Sequence, residues 1–344
     1  MHILVSGGLG YIGSHTIIQL IEAGYTPIIL DNLINSRVGI LDKITRIVGD
    51  TLKSYPERTP IYHECDCCDI VSLELVIKQY TINSIIHFAA LKSVSESISL
   101  PIRYYRNNLL STLNLLSLTK KYSITNFIFS SSCTVYSNPP KSPIRESAPS
   151  GESLTNVYAK TKYMCETMIR DVVVANPNIN YIILRYFNPI GNHSSGILGD
   201  DPSGIPGNLV PYIQRVMSGR LPILNVYGDD YNTPDGTAMR DFIHVVDLAD
   251  AHIKSIEFCR KNSPVRMALN IGTGNAYSVL DIVTALSSAS GKKIPYIVRS
   301  RRAGDLETIY CDPSMANATL GWYPKHTLSD MCSDICKFVD NTSV

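Results

Sequence analysis

The feature that most constrains this chain is a glycine turn between a strand and a helix, Gly7-Gly8-Leu9-Gly10-Tyr11-Ile12-Gly13. His2-Ile3-Leu4-Val5-Ser6 ahead of it reads as a buried parallel strand. Behind it, residues 14–23 place Ile17, Ile18, Leu20 and Ile21 on one helical side and stop at Gly24. A second apolar run, Pro27-Ile28-Ile29-Leu30, ends on Asp31, 18 residues beyond Gly13. Strand, turn, helix, strand and acid in this order are the dinucleotide-binding fingerprint in the context it requires. Gly7 or Gly8, with Gly10 and Gly13, can adopt positive φ and leave no Cβ in the way of a pyrophosphate. Free N–H groups at the helix start then hold the phosphates. Asp31 can accept from a ribose 2′-hydroxyl and repels a 2′-phosphate, so NAD is expected over NADP. The fold expected is α/β, a Rossmann-type doubly wound parallel sheet.

The 344 residues suffice for such a domain and a second, smaller one. With 31 Lys and Arg against 30 Asp and Glu, charge is balanced, which argues against a nucleic-acid partner. No run of 18 apolar residues occurs and the chain enters its first strand without a charged leader. Neither a membrane span nor a secretion signal is expected, and a cytoplasmic enzyme is. Nine cysteines show no disulfide spacing. His63-Glu64-Cys65-Asp66-Cys67-Cys68 invites a metal reading, but no second paired ligand set follows, so no metal is expected. These cysteines read better as small apolar residues near a third strand over 61–66.

Along the chain, Asn32-Leu33-Ile34-Asn35-Ser36 forms a polar loop suited to adenosine contacts, and Asp66 falls where an acid meets the adenine amino group. Residues 72–80 read as a helix and 84–90 as a fourth strand, with His87 a core histidine and Ala89 and Ala90 small enough for a close cofactor approach. A helix over 101–122 carries Asn107. The fifth strand, 126–132, runs into Ser130, Ser131 and Ser132 at its carboxyl end, the edge where open parallel sheets bind ligands. A loop over 142–156 leads to a helix over 156–174 that carries Tyr158 and Lys162, four apart and on one face. A tyrosine with a pKa of about 10 is a poor base at neutral pH. A nearby ammonium, together with the charge of an oxidised nicotinamide, brings its phenolate into working range. A strand over 181–187 is expected to complete the sheet.

Composition then shifts to Gly, Pro and Asp over 196–207, marking passage into a smaller substrate-binding α/β domain. The division expected is 1–187 for the cofactor and 188–344 for the substrate, with 238–262 packing back on the first. A short strand is expected at Leu224-Asn225-Val226-Tyr227, a helix over 246–260, and further strands over 268–271 and 296–299. Arg240 and Arg302 are candidates for a diphosphate clamp, because a guanidinium matches phosphate with paired donors.

Taken together, Gly7 to His15, Asp31-Asn32-Leu33, Ser130 to Tyr136, Tyr158-Ala159-Lys160-Thr161-Lys162, Arg185-Tyr186-Phe187-Asn188-Pro189 and Arg240-Asp241-Phe242-Ile243-His244 closely resemble the UDP-galactose 4-epimerases, a family within the extended short-chain dehydrogenases. The resemblance runs from Met1 to about Phe338. It implies reversible interconversion of UDP-galactose and UDP-glucose by inversion at C4, through a 4-keto sugar with NAD tightly bound. By motif it makes Tyr158 the base at the 4-hydroxyl, Ser132 the bridge for that proton and Lys162 the holder of the NAD ribose. Cofactor contacts are implied for Gly7, Gly10, Tyr11, Ile12, Gly13, Asp31, Asn32, Asn35, Ser36, Asp66, Cys67, Phe88, Ala89, Ala90, Lys92, Asn107 and Phe187. UDP-hexose contacts are implied for Lys92, Ser132, Thr134, Asn188, Asn208, Leu209, Asn225, Val226, Tyr227, Arg240, Arg302, Asp305 and Ile309. A homodimer is implied as well.

This sequence departs from the family pattern in the turn Ser93-Val94-Ser95-Glu96 and at Ser137, where glycine is usual. The third departure is Ile309, at the position where a large Tyr narrows the sugar pocket and a Cys admits N-acetylated sugars. Isoleucine lies between them, so acceptance of UDP-GlcNAc and UDP-GalNAc stays open. Among alternatives, a nucleotide-sugar 4,6-dehydratase calls for an Asp-Glu pair after the strand-end hydroxyl, where this chain has Cys133 and Thr134. A decarboxylase of the same class is a second alternative. A non-catalytic NAD sensor typically lacks the tyrosine and lysine, and Tyr158 and Lys162 are both present.

Overall fold

The computed structural model describes residues 1–137, 142–202, 204–302 and 304–342. In chain order its first part runs β1 (His2–Ser6), α1 (Tyr11–Glu22), β2 (Thr26–Asp31), α2 (Gly39–Ile47), α3 (Gly49–Ser54), β3 (Ile61–Glu64), α4 (Ile70–Ile77) and β4 (Ile82–His87). It continues through α5 (Val94–Ser99), α6 (Pro101–Lys121), β5 (Asn126–Ser132), α7 (Val157–Ala175) and β6 (Asn180–Tyr186). The second part runs β7 (Asn188–Ile190), α8 (Leu209–Met217), β8 (Leu224–Tyr227), β9 (Met239–His244), α9 (Val245–Lys261), β10 (Arg266–Ile271) and β11 (Ala276–Ser278). It ends with α10 (Val279–Ser290), β12 (Tyr296–Arg299), β13 (Thr308–Ile309), α11 (Ser314–Leu320) and α12 (Leu328–Thr342).

Seven parallel strands form the main sheet in the order β10-β6-β5-β4-β1-β2-β3. The order reverses beside β1, so the glycine turn that follows β1 opens onto the crevice where such sheets bind ligands. The expectation that the sheet closes with the sixth strand is corrected here: β10 pairs with β6 from Arg266↔Tyr181 to Ile271↔Tyr186. Sequence order hides this pairing, because the 79 residues between Tyr186 and Arg266 build most of another layer first.

Both faces of the sheet are covered, as its near-continuous Ile, Leu and Val strands require. On one face Ile3, Val5 and Ile29 pack with Ile17 and Ile21 of α1 and Leu248 and Ile256 of α9. On the other, Leu4, Ile28 and Phe127 pack with Leu73 of α4, Leu115 of α6 and Ile169 of α7. A third core joins Ile213 of α8, Phe242 of β9, Leu286 of α10 and Ile335 of α12. Its strands form two small sheets, β11-β9-β13 with β7 beside β9, and the parallel pair β12-β8. Helix α1 begins at Tyr11, three residues before the expected start at 14, because Gly10 caps it and Ser14 N already donates to Gly10 O at 2.9 Å. Among the described residues no helix is long and apolar enough to cross a membrane.

Candidate active site

Each glycine of the turn has a separate physical reason. Gly7 has φ +70°, and a Cβ there would lie 2.7 Å from Ala89 N, just beyond β4. A Cβ on Gly13 would lie 2.4 Å from Gly7 O, so the glycine lets α1 press onto the turn. At Gly10 the nearest atom to a Cβ would be Gly7 O at 3.2 Å, the only one within 4 Å. Protein packing alone constrains Gly10 least, which fits a position left bare for a ligand. Helix α1 has no side-chain cap and no acid in its first turn, so its N–H groups point into the crevice as an anion site.

Asp31 is buried and does more than await a ribose. Its Oδ2 accepts from Leu9 N at 3.0 Å, and its Oδ1 accepts from Leu33 N at 3.0 Å and Ser36 Oγ at 2.6 Å. One carboxylate thus ties the glycine turn to the loop after β2 and keeps an acceptor position for a hydroxyl. Asn32 donates to Asp66 Oδ2 at 3.2 Å, while Cys68 N donates to Asp66 Oδ1 at 2.8 Å. Asn35 is exposed on the rim of that loop. Cys65 and Cys67 are buried in the core with Leu4 and Leu30. Tyr11 commits its hydroxyl to Gly191 O at 2.6 Å, so only its backbone and that of Ile12 are free to face a phosphate.

His87 is a fully partnered core histidine. Thr112 Oγ1 donates to Asn108 O at 2.9 Å, so His87 Nε2–H donates to Thr112 and Nδ1 accepts from Ser6 Oγ at 2.7 Å. Asn107 donates to Asn108 Oδ1, but Asn108 is the organiser that sequence reasoning missed. It accepts from Leu91 N at 2.8 Å and donates to Leu91 O at 3.1 Å and Thr161 Oγ1 at 3.0 Å, fixing the loop after β4 against α7. Beyond that loop Lys92 is exposed; burial raises the Asp200 carboxyl above its usual range, and the Lys92 charge opposes that rise.

Helix α7 starts where Asn156 accepts from Ala159 N at 2.8 Å, which sets Tyr158 in its first turn and Lys162 one turn on. The three serines ending β5 have three different tasks. Ser130 O accepts from Lys162 Nζ at 2.6 Å, and Ser131 Oγ donates to Glu166 Oε1 at 2.6 Å. Ser132 Oγ accepts from Thr134 Oγ1 at 3.0 Å and lies against the Tyr158 hydroxyl. Burial pushes Tyr158 up to about 12, with Ser132 pulling the other way. Burial also takes Lys162 down to about 8, opposed by Cys165 and Glu166. The Lys162 ammonium is 6.0 Å from the centre of the Tyr158 ring. The Lys162 ammonium is directed at the Ser130 carbonyl, and the second charge expected to act with it on the phenol is that of the oxidised nicotinamide.

Phe187 follows β6 and packs with Ile309, Cys133 and Cys311 as an apolar wall. Facing it, Arg240 on β9 sits opposite Ile309 of β13 in the parallel ladder. Arg240 Nη2 is 3.7 Å from Asp305 Oδ1, and the Arg302 guanidinium lies 4.0 Å over the Tyr227 ring. Arg302 and Cys133 both bear on the charge of Arg240, so the two arginines converge beside the residue that follows Ser132. Asn208 at the start of α8 caps nothing with its side chain, and Leu209 leans on the third core. Asn225 Oδ1 accepts from Arg299 Nε at 3.1 Å. Val226 points its side chain into the core, so only its backbone can serve a ligand. Asp241, next to Arg240, was also missed: it accepts from Thr273 N at 2.8 Å, Gly274 N at 3.0 Å and Cys311 N at 3.3 Å. A buried acid flanked by a clamp arginine is the signal that could have found it.

Residues 3–272 match the NAD dependent epimerase/dehydratase family. The chain belongs to that family. Among its relatives, the UDP-glucose 4-epimerase of Dictyostelium discoideum is 47% identical over 336 residues, covering 98% of this chain and 95% of the relative. The human UDP-glucose 4-epimerase is 45% identical, covering 98% of this chain and 95% of its own. The crystal structure of UDP-glucose 4-epimerase from Bifidobacterium longum with NAD+ and UDP superposes with a TM-score of 0.93 at 43% identity, covering 99% of each chain. That from Stenotrophomonas maltophila, with bound NAD and formylated UDP-arabinopyranose, gives 0.94 at 37%, covering 100% of this chain and 99% of the other. The cofactor of this epimerase/dehydratase chain is NAD, and the glycine packing, bare helix start and buried Asp31 of the crevice above β1, β4 and β5 fit that group.

Proposed function

We propose that this protein interconverts UDP-galactose and UDP-glucose by inverting C4 of the hexose through a 4-keto intermediate, with NAD retained throughout. The observation that carries this reading is the convergence of Tyr158, Ser132 and Lys162 with Arg240 and Arg302 at one edge of the sheet. When bound, NAD supplies a reversible two-electron acceptor for C4. Tyr158 takes the proton of the 4-hydroxyl and Ser132 bridges it. The Lys162 ammonium and the positive charge of oxidised NAD together favour the Tyr158 phenolate. Lys162, anchored on Ser130 O, holds the ribose.

Inversion requires that the hexose turn over while UDP stays fixed. The arginines match the diphosphate with paired donors. The wall of Phe187, Ile309 and Cys133 offers the hexose contact without directional bonds, which favours a loosely held ring. Ile309 sets the width of that wall, and the same assay with UDP-GlcNAc reads it. Labour divides so that residues 1–187 serve the cofactor and 188–344 the nucleotide sugar, apart from α9 and β10, which pack on and extend the main sheet. The metabolic setting is galactose utilisation. We place the protein in the cytoplasm, a reading that its nine free cysteines favour.

We also infer a homodimer. Val94, Ile98, Ile102, Leu110 and Leu113 expose apolar side chains along α5 and α6, Ile102 at 79%, which a second copy of the chain would cover. Light scattering is expected to give twice the chain mass of 38.0 kDa. For the reaction, purified protein is incubated with UDP-galactose and no added reductant. UDP-glucose formed without net NADH supports the reading; a folded, NAD-loaded protein that forms none overturns it.

A further inference from the structure

Behind the catalytic groups lies a buried carboxylate that the mechanism above does not use. Glu166 is on α7, one turn beyond Lys162 and two beyond Tyr158, and is fully inaccessible. Four donors from three elements converge on it. Ser131 Oγ reaches Oε1 at 2.6 Å from β5, and Arg185 reaches both oxygens from β6, Nε to Oε1 at 3.0 Å and Nη2 to Oε2 at 2.7 Å. Arg170, one turn further along α7, adds Nη2 to Oε2 at 2.7 Å.

The neighbours of these donors are the working parts of the site. Ser131 lies between Ser130, whose carbonyl anchors Lys162, and Ser132. Arg185 is two residues before Phe187 and stacks on Tyr136, its charge 4.7 Å from that ring. Tyr136 in turn donates to Asn270 Oδ1 at 2.7 Å on the outer strand β10. One carboxylate therefore sets the distance between the helix that presents Tyr158 and Lys162 and the strand ends that present Ser132 and Phe187. Such a buried charge is costly unless every acceptor position is met, and here they are met.

We propose that Glu166 is a positioning residue for the epimerase reaction, holding α7 in register with β5 and β6. This inference rests on the epimerase reading. Lys162 is faced by Cys165 and Glu166 on its own helix, by the Ser130 carbonyl of β5 and by His87 of β4. Glu166 is faced by Arg170 of α7, Arg185 of β6 and Ser131 of β5, with Glu146 and Tyr136 beyond Arg185. Arg185 holds the Glu166 carboxyl below the usual range against the pull of burial.

The test is Glu166→Gln, which keeps size and removes charge. The expected result is a fall in kcat of about 10- to 100-fold, with KM for UDP-galactose and bound NAD content unchanged. Unchanged kcat, with the wild type active, overturns the inference. So does a loss of kcat that tracks lost NAD or raised KM, since that marks a purely structural role. Should the variant not fold, Ser131→Ala decides: kcat reduced several-fold at constant KM supports the inference, and wild-type turnover overturns it. An inactive wild type overturns the epimerase reading instead.

Discussion

At the glycine turn, backbone is locked against backbone: Gly13 leaves 2.4 Å between a would-be Cβ and Gly7 O, and Asp31 stitches the turn to the next loop through Leu9 N. At the arginine clamp, Arg302 rests on the face of Tyr227 with no acceptor for its guanidinium among the described residues, and Arg240 keeps a long 3.7 Å pairing with Asp305. The cofactor half is thus pre-organised by packing that no side-chain motion relieves. The nucleotide half is assembled from long side chains on loops and short strands. This contrast suits a reaction in which one ligand stays and the other enters, turns and leaves. Tight geometry lowers the ordering cost of the resident group, while adaptable cations tolerate two epimers of the same substrate.

The contrast can be broken from either side. The largest effect is expected at the junction, where Tyr158→Phe removes the proton acceptor and should cut kcat by about a thousandfold while NAD stays bound, read by turnover and by cofactor released on denaturation. Next comes Gly13→Ala, whose methyl must displace α1 or the turn; loss of bound NAD and on the order of 2 kcal/mol of stability are expected in denaturant titration. Retained NAD in that variant would mean the turn is softer than its packing implies.

Acid should also weaken both halves. Burial takes His15 and His87 from 6.5 to about 3, and His244 and His252 to about 4. Between those values and 6.5 the unfolded chain binds the extra protons. Stability is therefore intact above pH 6.5 and falls as pH drops through 6.5 toward 4, by up to about 1.4 kcal/mol per pH unit per histidine. Urea midpoints at pH 7 and pH 5 test this, and equal midpoints would refute it. The smallest effect is expected for Arg302→Ala, an exposed clamp residue: KM for UDP-galactose should rise about tenfold, with kcat reduced less and NAD content constant.

Much of the cofactor half was legible in the chain because its determinants are local. The strand β1, the turn, the spacing to Asp31 and the strand β5 ending on Ser132 depend on periodicity and on glycine, and they stand where expected. The one-turn spacing of Tyr158 and Lys162 likewise needs only a helix. What escaped were partners distant in sequence. Asn108 reaches Leu91 and Thr161, Asp241 reaches Thr273 and Cys311, and β10 comes back to β6 only after 79 residues have intervened. Short elements such as β7 and β13, three and two residues long, have no period to read and exist because β9 lies beside them.

By itself the sequence determined that a strand–glycine–helix unit would bind a dinucleotide, and that a tyrosine, a lysine and a serine would be presented at one sheet edge. These follow from backbone freedom, helical period and strand alternation, which act over a few residues. Only the tertiary structure decided how the groups are held and charged. Lys162 points at the Ser130 carbonyl, burial lifts the Tyr158 phenol to about 12, and Glu166 is clasped by two arginines and a serine from three elements. Burial and long-range pairing set those protonation states, and neither exists until the sheet, its helices and the returning strand have come together.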